Sequence, residues 1–275
     1  MNTSRIIETY LVPYAMRYGR WGVWPEPPGP DFNSMRDFAK PDTDTKVPRG
    51  HGTSVAIVGA GAQSGVAPNA NLYLIKHGAA VWGGPDDQNR HVTGTFVLPT
   101  AVLHSLEHIA RELDAGILPK GKVVVYLGTG HPFRELEENI QVSVQWCKDR
   151  FSEAFKALSD RGAVVLLAAP IRFFTAGCGA GSIEETIPHC VVTPDSDVIM
   201  VGATDQNGRL WWSSTPGTPN CPVSVYAQGY DTQAYVLSED TDTAGLREGP
   251  CFAAAQAVSQ AGFGPCSVRW DPGVC

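Results

Sequence analysis

The sequence predicts an α/β fold in three layers, a mostly parallel sheet with helices on both faces. Three observations lead there. Apolar runs such as 123–127 (Val-Val-Val-Tyr-Leu) and 163–169 (Ala-Val-Val-Leu-Leu-Ala-Ala) continue without polar alternation, as strands buried on both faces do. Between them lie stretches of helical length, and the alternation of the two repeats from residue 51 onward. The 275 residues are 43% apolar and 18% charged, enough for a substantial core and too apolar for a disordered chain.

Taken in order, residues 5–12 read as a first strand. The Pro-, Gly- and Trp-rich stretch 21–30 that follows suits neither a helix nor a central strand. A short helix is predicted over 51–60 and a strand over 71–76. Residues 97–113 carry apolar side chains at Leu98, Ala101, Val102, Leu106, Ile109, Ala110 and Leu113, the spacing of an amphipathic helix. The strand 123–127, a helix over 143–161 and the strand 163–169 come next. Strands over 198–203 and 223–226 precede an Ala-rich helix at 251–260. With no internal repeat or low-complexity tract, residues 1–275 read as a single domain with a divergent N-terminal segment at 1–50.

Charge narrows the function. Lys plus Arg number 21 against 28 Asp plus Glu, a net charge of −7, which argues against a nucleic-acid or anionic-membrane partner. No apolar run reaches the ~20 residues that span a bilayer. The first residues lack the basic and apolar pattern of a secretory signal, so a cytoplasmic protein is expected. The seven cysteines are an odd number without a CxxC spacing, which favours reduced thiols over a structural zinc site. Cys178 and Cys190 stand close enough in sequence to bridge if oxidised.

Four segments carry the chemistry. They are His51-Gly52-Thr53-Ser54-Val55-Ala56 with its continuation Gly65-Val66-Ala67-Pro68-Asn69-Ala70, then 122–128, then 162–169 with 198–208, and finally Gly249-Pro250-Cys251-Phe252-Ala253-Ala254. In this order and spacing they resemble a subtilisin-like serine peptidase of the proteinase K type, over roughly residues 51–262. The resemblance implies a general-base histidine at the start of one helix and a nucleophile at the start of another. It also implies an oxyanion-binding Asn after the 163–169 strand and an Asp at the end of the first strand.

The chain departs from that pattern at most of these points. His51 is retained, but Cys251 stands at the serine position, after Pro250. The strand 163–169 runs into Pro170 and Ile171, so Ile171 takes the place of the Asn. Glu8 is the nearest match to the orienting carboxylate; Asp31, Asp42 and Asp44 are closer in sequence but have no strand behind them. Losing the oxyanion side chain costs about 10²–10³ in rate, and a disturbed orienter up to ~10⁴. A thiol at a helix N-terminus beside an imidazole offsets part of this, because its pKa is drawn down towards ~3.5–7.5. Cys251 and His51, with Glu8, therefore suit nucleophilic acyl transfer, cyclisation or hydrolysis in a biosynthetic pathway better than bulk digestion. The alternative is a catalytically dead peptidase fold that acts as a binding module.

In the family a substrate adds as a strand between two edges, which here match Leu127, Gly128, Thr129 and Gly130 on one side and Ala169, Pro170 and Ile171 on the other. Pro170 removes a donor, and Ile171-Arg172-Phe173-Phe174 narrows the cleft, favouring a small-molecule or short peptide substrate. No cofactor or metal is expected. His104-Ser105-Leu106-Glu107-His108 fits an inverted zinc-protease motif but has no evident third ligand. The glycine run 59–65 follows a helix rather than a strand, which speaks against phosphate binding. Trp211-Trp212-Ser213-Ser214 reads as structural packing, and Asp42, Asp44 and the cluster 239–242 as solvated acidic loops rather than calcium ligands.

Overall fold

The structure, a computed structural model, describes residues 6–11, 51–62, 65–77, 79–85, 91–134, 136, 142–171, 182–230, 232–237 and 242–262. Outside the described residues lie the stretch 21–30, Asp31, Asp42, Asp44, Arg172, Phe173, Phe174, Cys178 and Glu239–Asp240. The elements in chain order are β1 (Ile6–Leu11), α1 (His51–Ala60), β2 (Leu72–Lys76), β3 (Ala79–Pro85), β4 (His91–Phe96) and α2 (Pro99–Asp114). They continue with β5 (Val124–Leu127), β6 (His131–Pro132), α3 (Val144–Ser159), β7 (Val164–Ala168) and β8 (Thr186–Ile187). Last come β9 (Val198–Thr204), β10 (Val225–Gln228), β11 (Thr232–Leu237), β12 (Asp242–Arg247) and α4 (Pro250–Gly262).

The central sheet has the order β10-β9-β7-β5, every pair parallel, and β1 pairs with β2 in parallel as well. Successive residues of β7 face opposite layers. Val165 and Leu167 point into a core shared with Leu106 and Leu113 of α2 and Phe151 and Leu158 of α3. Leu166 and Ala168 point into a second core, with Val55 and Val58 of α1 and Phe252 to Ala255 of α4. Burial on both sides is why the strand is apolar throughout. The predicted three-layer α/β fold is therefore the observed one.

Local chemistry sets the element ends. The Ser143 hydroxyl caps α3 by accepting from the Trp146 amide at 3.3 Å. At the C-terminal end of α1 the amides of Gly61 and Gly65 donate to Ile57 and Gly61, and those of Val66 and Ala67 to Val58 and Gly59. These glycine amides are spent on the carbonyls of Ile57 and Gly61, and a Cβ on Gly65 would run into the Gly61 and Ala60 backbone. Two antiparallel pairs, β3–β4 and β11–β12, were not evident in the sequence. Among the described residues no helix is long and apolar enough to cross a membrane.

Candidate active site

The strand ends of the central sheet fix the start of α4. The Gly229 amide donates to Thr204 at the end of β9 (3.0 Å), and the Gly249 amide donates to Gly229 (2.7 Å). Close approach requires glycine at 229, because a Cβ there would lie 2.6 Å from the Ala203 Cβ and 2.7 Å from the Gly249 oxygen. Gly249, at φ 121°, turns the chain into the helix, and its carbonyl accepts from the amides of Phe252 (3.1 Å) and Ala253 (3.2 Å). Cys251 thus sits in the first turn of α4, as the sequence predicts, where the leading amides of a helix have no intrahelical partner.

Cys251 is buried, with 9% of the residue exposed. The thiol lies 3.9 Å from the carbonyl oxygen of Gly128, just past β5. The Tyr126 hydroxyl donates to the Cys251 carbonyl at 3.2 Å. Burial pushes the Cys251 thiol above its ordinary pKa, and the neighbouring Tyr126 O–H only partly opposes it. Loss of hydration is the largest influence on the thiol at this buried position. The other described cysteines are also free thiols pushed up, Cys147 and Cys190 to about 11 and Cys221 to about 12, chiefly by burial.

His51 heads α1, which shares its apolar core with α4, and the two helices approach where a Cβ on Gly59 would meet the Ala255 carbonyl at 3.7 Å. The His51 side chain lies outside the described residues. Glu8 does fall on a first strand, opposite Tyr73 of β2, but it is the third of six residues rather than the last; its side chain too lies outside the described set.

The two candidate substrate edges differ in what they offer. Leu127 and Ala169 bury their side chains in the core, leaving only backbone to a ligand. Gly128 is exposed, Thr129 and Pro170 are half-buried, and Ile171 is 42% exposed. The second edge is already engaged: Thr215 donates to the Pro170 carbonyl at 3.1 Å, and Ile171 bridges Ser214. The Ser214 hydroxyl in turn accepts from the Ala203 amide at 3.1 Å, a structural use of the 211–214 segment.

Between the edges lies a feature the sequence reading missed. His189 is fully buried, and its Nε2 donates to the Ala168 carbonyl at 2.9 Å, while Nδ1 is buried without a partner among the described residues. It sits against Gly130, where a Cβ would come within 2.5 Å of its Cε1. Burial lowers its pKa to about 4, with the Ala168 bond opposing and nearby His131 assisting. His77 is likewise lowered to about 4 by burial and by His131. The available signal was Pro188-His189-Cys190, an imidazole inside an apolar run. The His-x-x-Glu-His motif, by contrast, serves packing. His108 meets the Tyr73 hydroxyl at 2.7 Å and Glu112 at 3.7 Å, and Glu107 pairs with Arg150. Among the described residues no three His, Cys, Asp or Glu side chains are placed to hold a metal ion.

A parallel sheet between two helical layers, with its candidate nucleophile opening the last helix, defines a subtilisin-like α/β fold. Comparison with solved structures agrees. The chain superposes on the prenylagaramide maturation protease PagA with a TM-score of 0.52 at 15% identity, covering 94% of this chain and 74% of that one. Against the "S41 Psychrophilic Protease" the TM-score is 0.50 at 21% identity, over 77% of this chain and 62% of that protease. The chain therefore spans less than two thirds of that protease's length. No protein-family model matches the sequence, and no curated protein does.

Proposed function

We propose that this protein is a biosynthetic processing enzyme on a subtilisin-like scaffold, acting through Cys251 on a small-molecule or short peptide substrate. The observation that supports it is the position of the sulfur, in the first turn of α4 and 3.9 Å from Gly128 at the carboxyl end of β5. Ligands of open parallel sheets bind at that end. The fold shared with a maturation protease favours processing over digestion.

In this reading the resting thiol is protonated, so its proton leaves as the bond to carbon forms. His51 takes the proton while sulfur attacks the acyl carbon, and the carbonyl oxygen becomes an oxyanion facing the leading amides of α4. Ile171 offers no side-chain donor there. Collapse expels an amine, which takes the proton from the imidazolium and leaves a thioester. An incoming amine then gives transfer or cyclisation, and water gives hydrolysis.

A second reading, a groove that binds without a covalent step, is favoured by the burial of Cys251. The p-nitrophenyl ester of a short acylated peptide separates the two. The enzyme reading expects a saturable burst of nitrophenol near one equivalent and an acyl mass on Cys251, both lost in Cys251→Ala. Equal turnover by Cys251→Ala, or no acyl group on Cys251, overturns it in favour of binding.

A further inference from the structure

Tyr126 is the only residue of β5 with a polar side chain. Its neighbours Val125 and Leu127 face the α2–α3 core, so the phenol faces the layer of α1 and α4. There its hydroxyl reaches the first turn of α4 and donates to the Cys251 carbonyl at 3.2 Å. The chain following β5 folds over the same hydroxyl, since a Cβ on Gly128 would overlap it. Gly128 in turn presents its carbonyl to the Cys251 thiol at 3.9 Å. Phenol, thiol and two carbonyls therefore form one closed group joining the end of β5 to the start of α4.

We propose that Tyr126 is a positioning residue for Cys251, holding the first turn of α4 through the Cys251 carbonyl and turning its O–H to the sulfur when the thiol ionises. The proposal rests on Cys251 being the nucleophile. The change is a rotation about the phenol C–O bond; no covalent bond forms or breaks, and the thiol proton leaves to the base. A phenol is suited to this because it stays protonated: burial and the Cys251 neighbour push the Tyr126 pKa well above its usual value. A neighbouring Tyr126 O–H favours the ionised thiol and so opposes the effect of burial on it. Hydrogen bonds to an anion are about twice as strong as neutral ones, so most of the benefit appears only in the thiolate.

The test is the pH profile of iodoacetamide alkylation at Cys251, followed by peptide mass mapping on the full chain, for wild type and Tyr126→Phe. The Phe variant is expected to raise the midpoint by about one pH unit, slowing alkylation at pH 8 by about tenfold. Replacing tyrosine by fluorotyrosine throughout, which makes the phenol a stronger donor, is expected to lower the midpoint in wild type but not in Tyr126→Phe. Equal midpoints in all these proteins overturn the role of Tyr126 while leaving Cys251 reactive. No alkylation of native wild-type Cys251 at any pH overturns the nucleophile reading, and this inference with it.

Discussion

Gly130→Ala tests the packed floor between the two candidate substrate edges. The added methyl would lie 2.5 Å from Cε1 of His189, 3.0 Å from its Nδ1 and 3.1 Å from Cγ2 of Thr186. The imidazole is fully buried, so it escapes only by giving up its 2.9 Å bond to Ala168. Overpacking costs about 1–3 kcal/mol, and leaving a buried donor unpaired about 1–3 kcal/mol more. Against this, alanine restricts the unfolded chain and returns only ~0.4–1 kcal/mol. The clash wins, with a net loss of about 1–5 kcal/mol, which lowers Tm by roughly 2–20 °C for a chain of this size. Urea titrations followed by circular dichroism measure it. In a His189→Ala background the methyl has room, and Gly130→Ala should be nearly neutral. A Gly130→Ala protein within about 0.5 kcal/mol of wild type, or one equally destabilised in both backgrounds, refutes the reasoning.

Two further expectations follow from the same site. His189 titrates at about 4 in the fold against 6.5 when unfolded, so between those pH values the unfolded chain binds more protons and stability falls as pH falls. At about 1.4 kcal/mol per pH unit the loss approaches roughly 3 kcal/mol by pH 4 and then levels off. His77, less deeply buried, acts in the same direction. Urea midpoints from pH 7 to 4 should therefore drop more steeply for wild type than for His189→Gln, and parallel curves would contradict this. Gly229→Ala should push Gly249 away and shift Cys251, lowering stability by about 1–3 kcal/mol and changing its alkylation rate several-fold. Melting curves and the mass-mapped rate test this, and no change in either would count against the placement of α4.

Much of the framework was legible because it is written in apolar continuity. The runs 123–127 and 163–169 fall on β5 and β7 with ends displaced by one residue, and α1 begins and ends where predicted. The strand expected at 223–226 lies two residues later, at Val225–Gln228, since Pro222 and the exposed Tyr226 blur its alternation. The β3–β4 and β11–β12 pairs escaped notice because Ala-Ala-Val-Trp-Gly-Gly-Pro and Asp-Thr-Ala-Gly-Leu-Arg carry neither period; backbone pairing defines them. At the site, order along the chain located Cys251 at its helix start but said nothing of its burial, a property of what packs above it. Tyr126 was visible as a phenol in an aliphatic strand, and a buried phenol needs a partner. Only the fold shows that the partner is Cys251.

The paired amide bonds at Thr204, Gly229 and Gly249 have a consequence for how such a scaffold changes over time. They clamp both ends of the excursion 230–248, in which β11 packs along α1 and β12 pairs with β11. Length and composition within that loop can drift while its two feet stay where they are. The surface of the molecule is thus free to diversify on that side while the start of α4 keeps its place against the sheet.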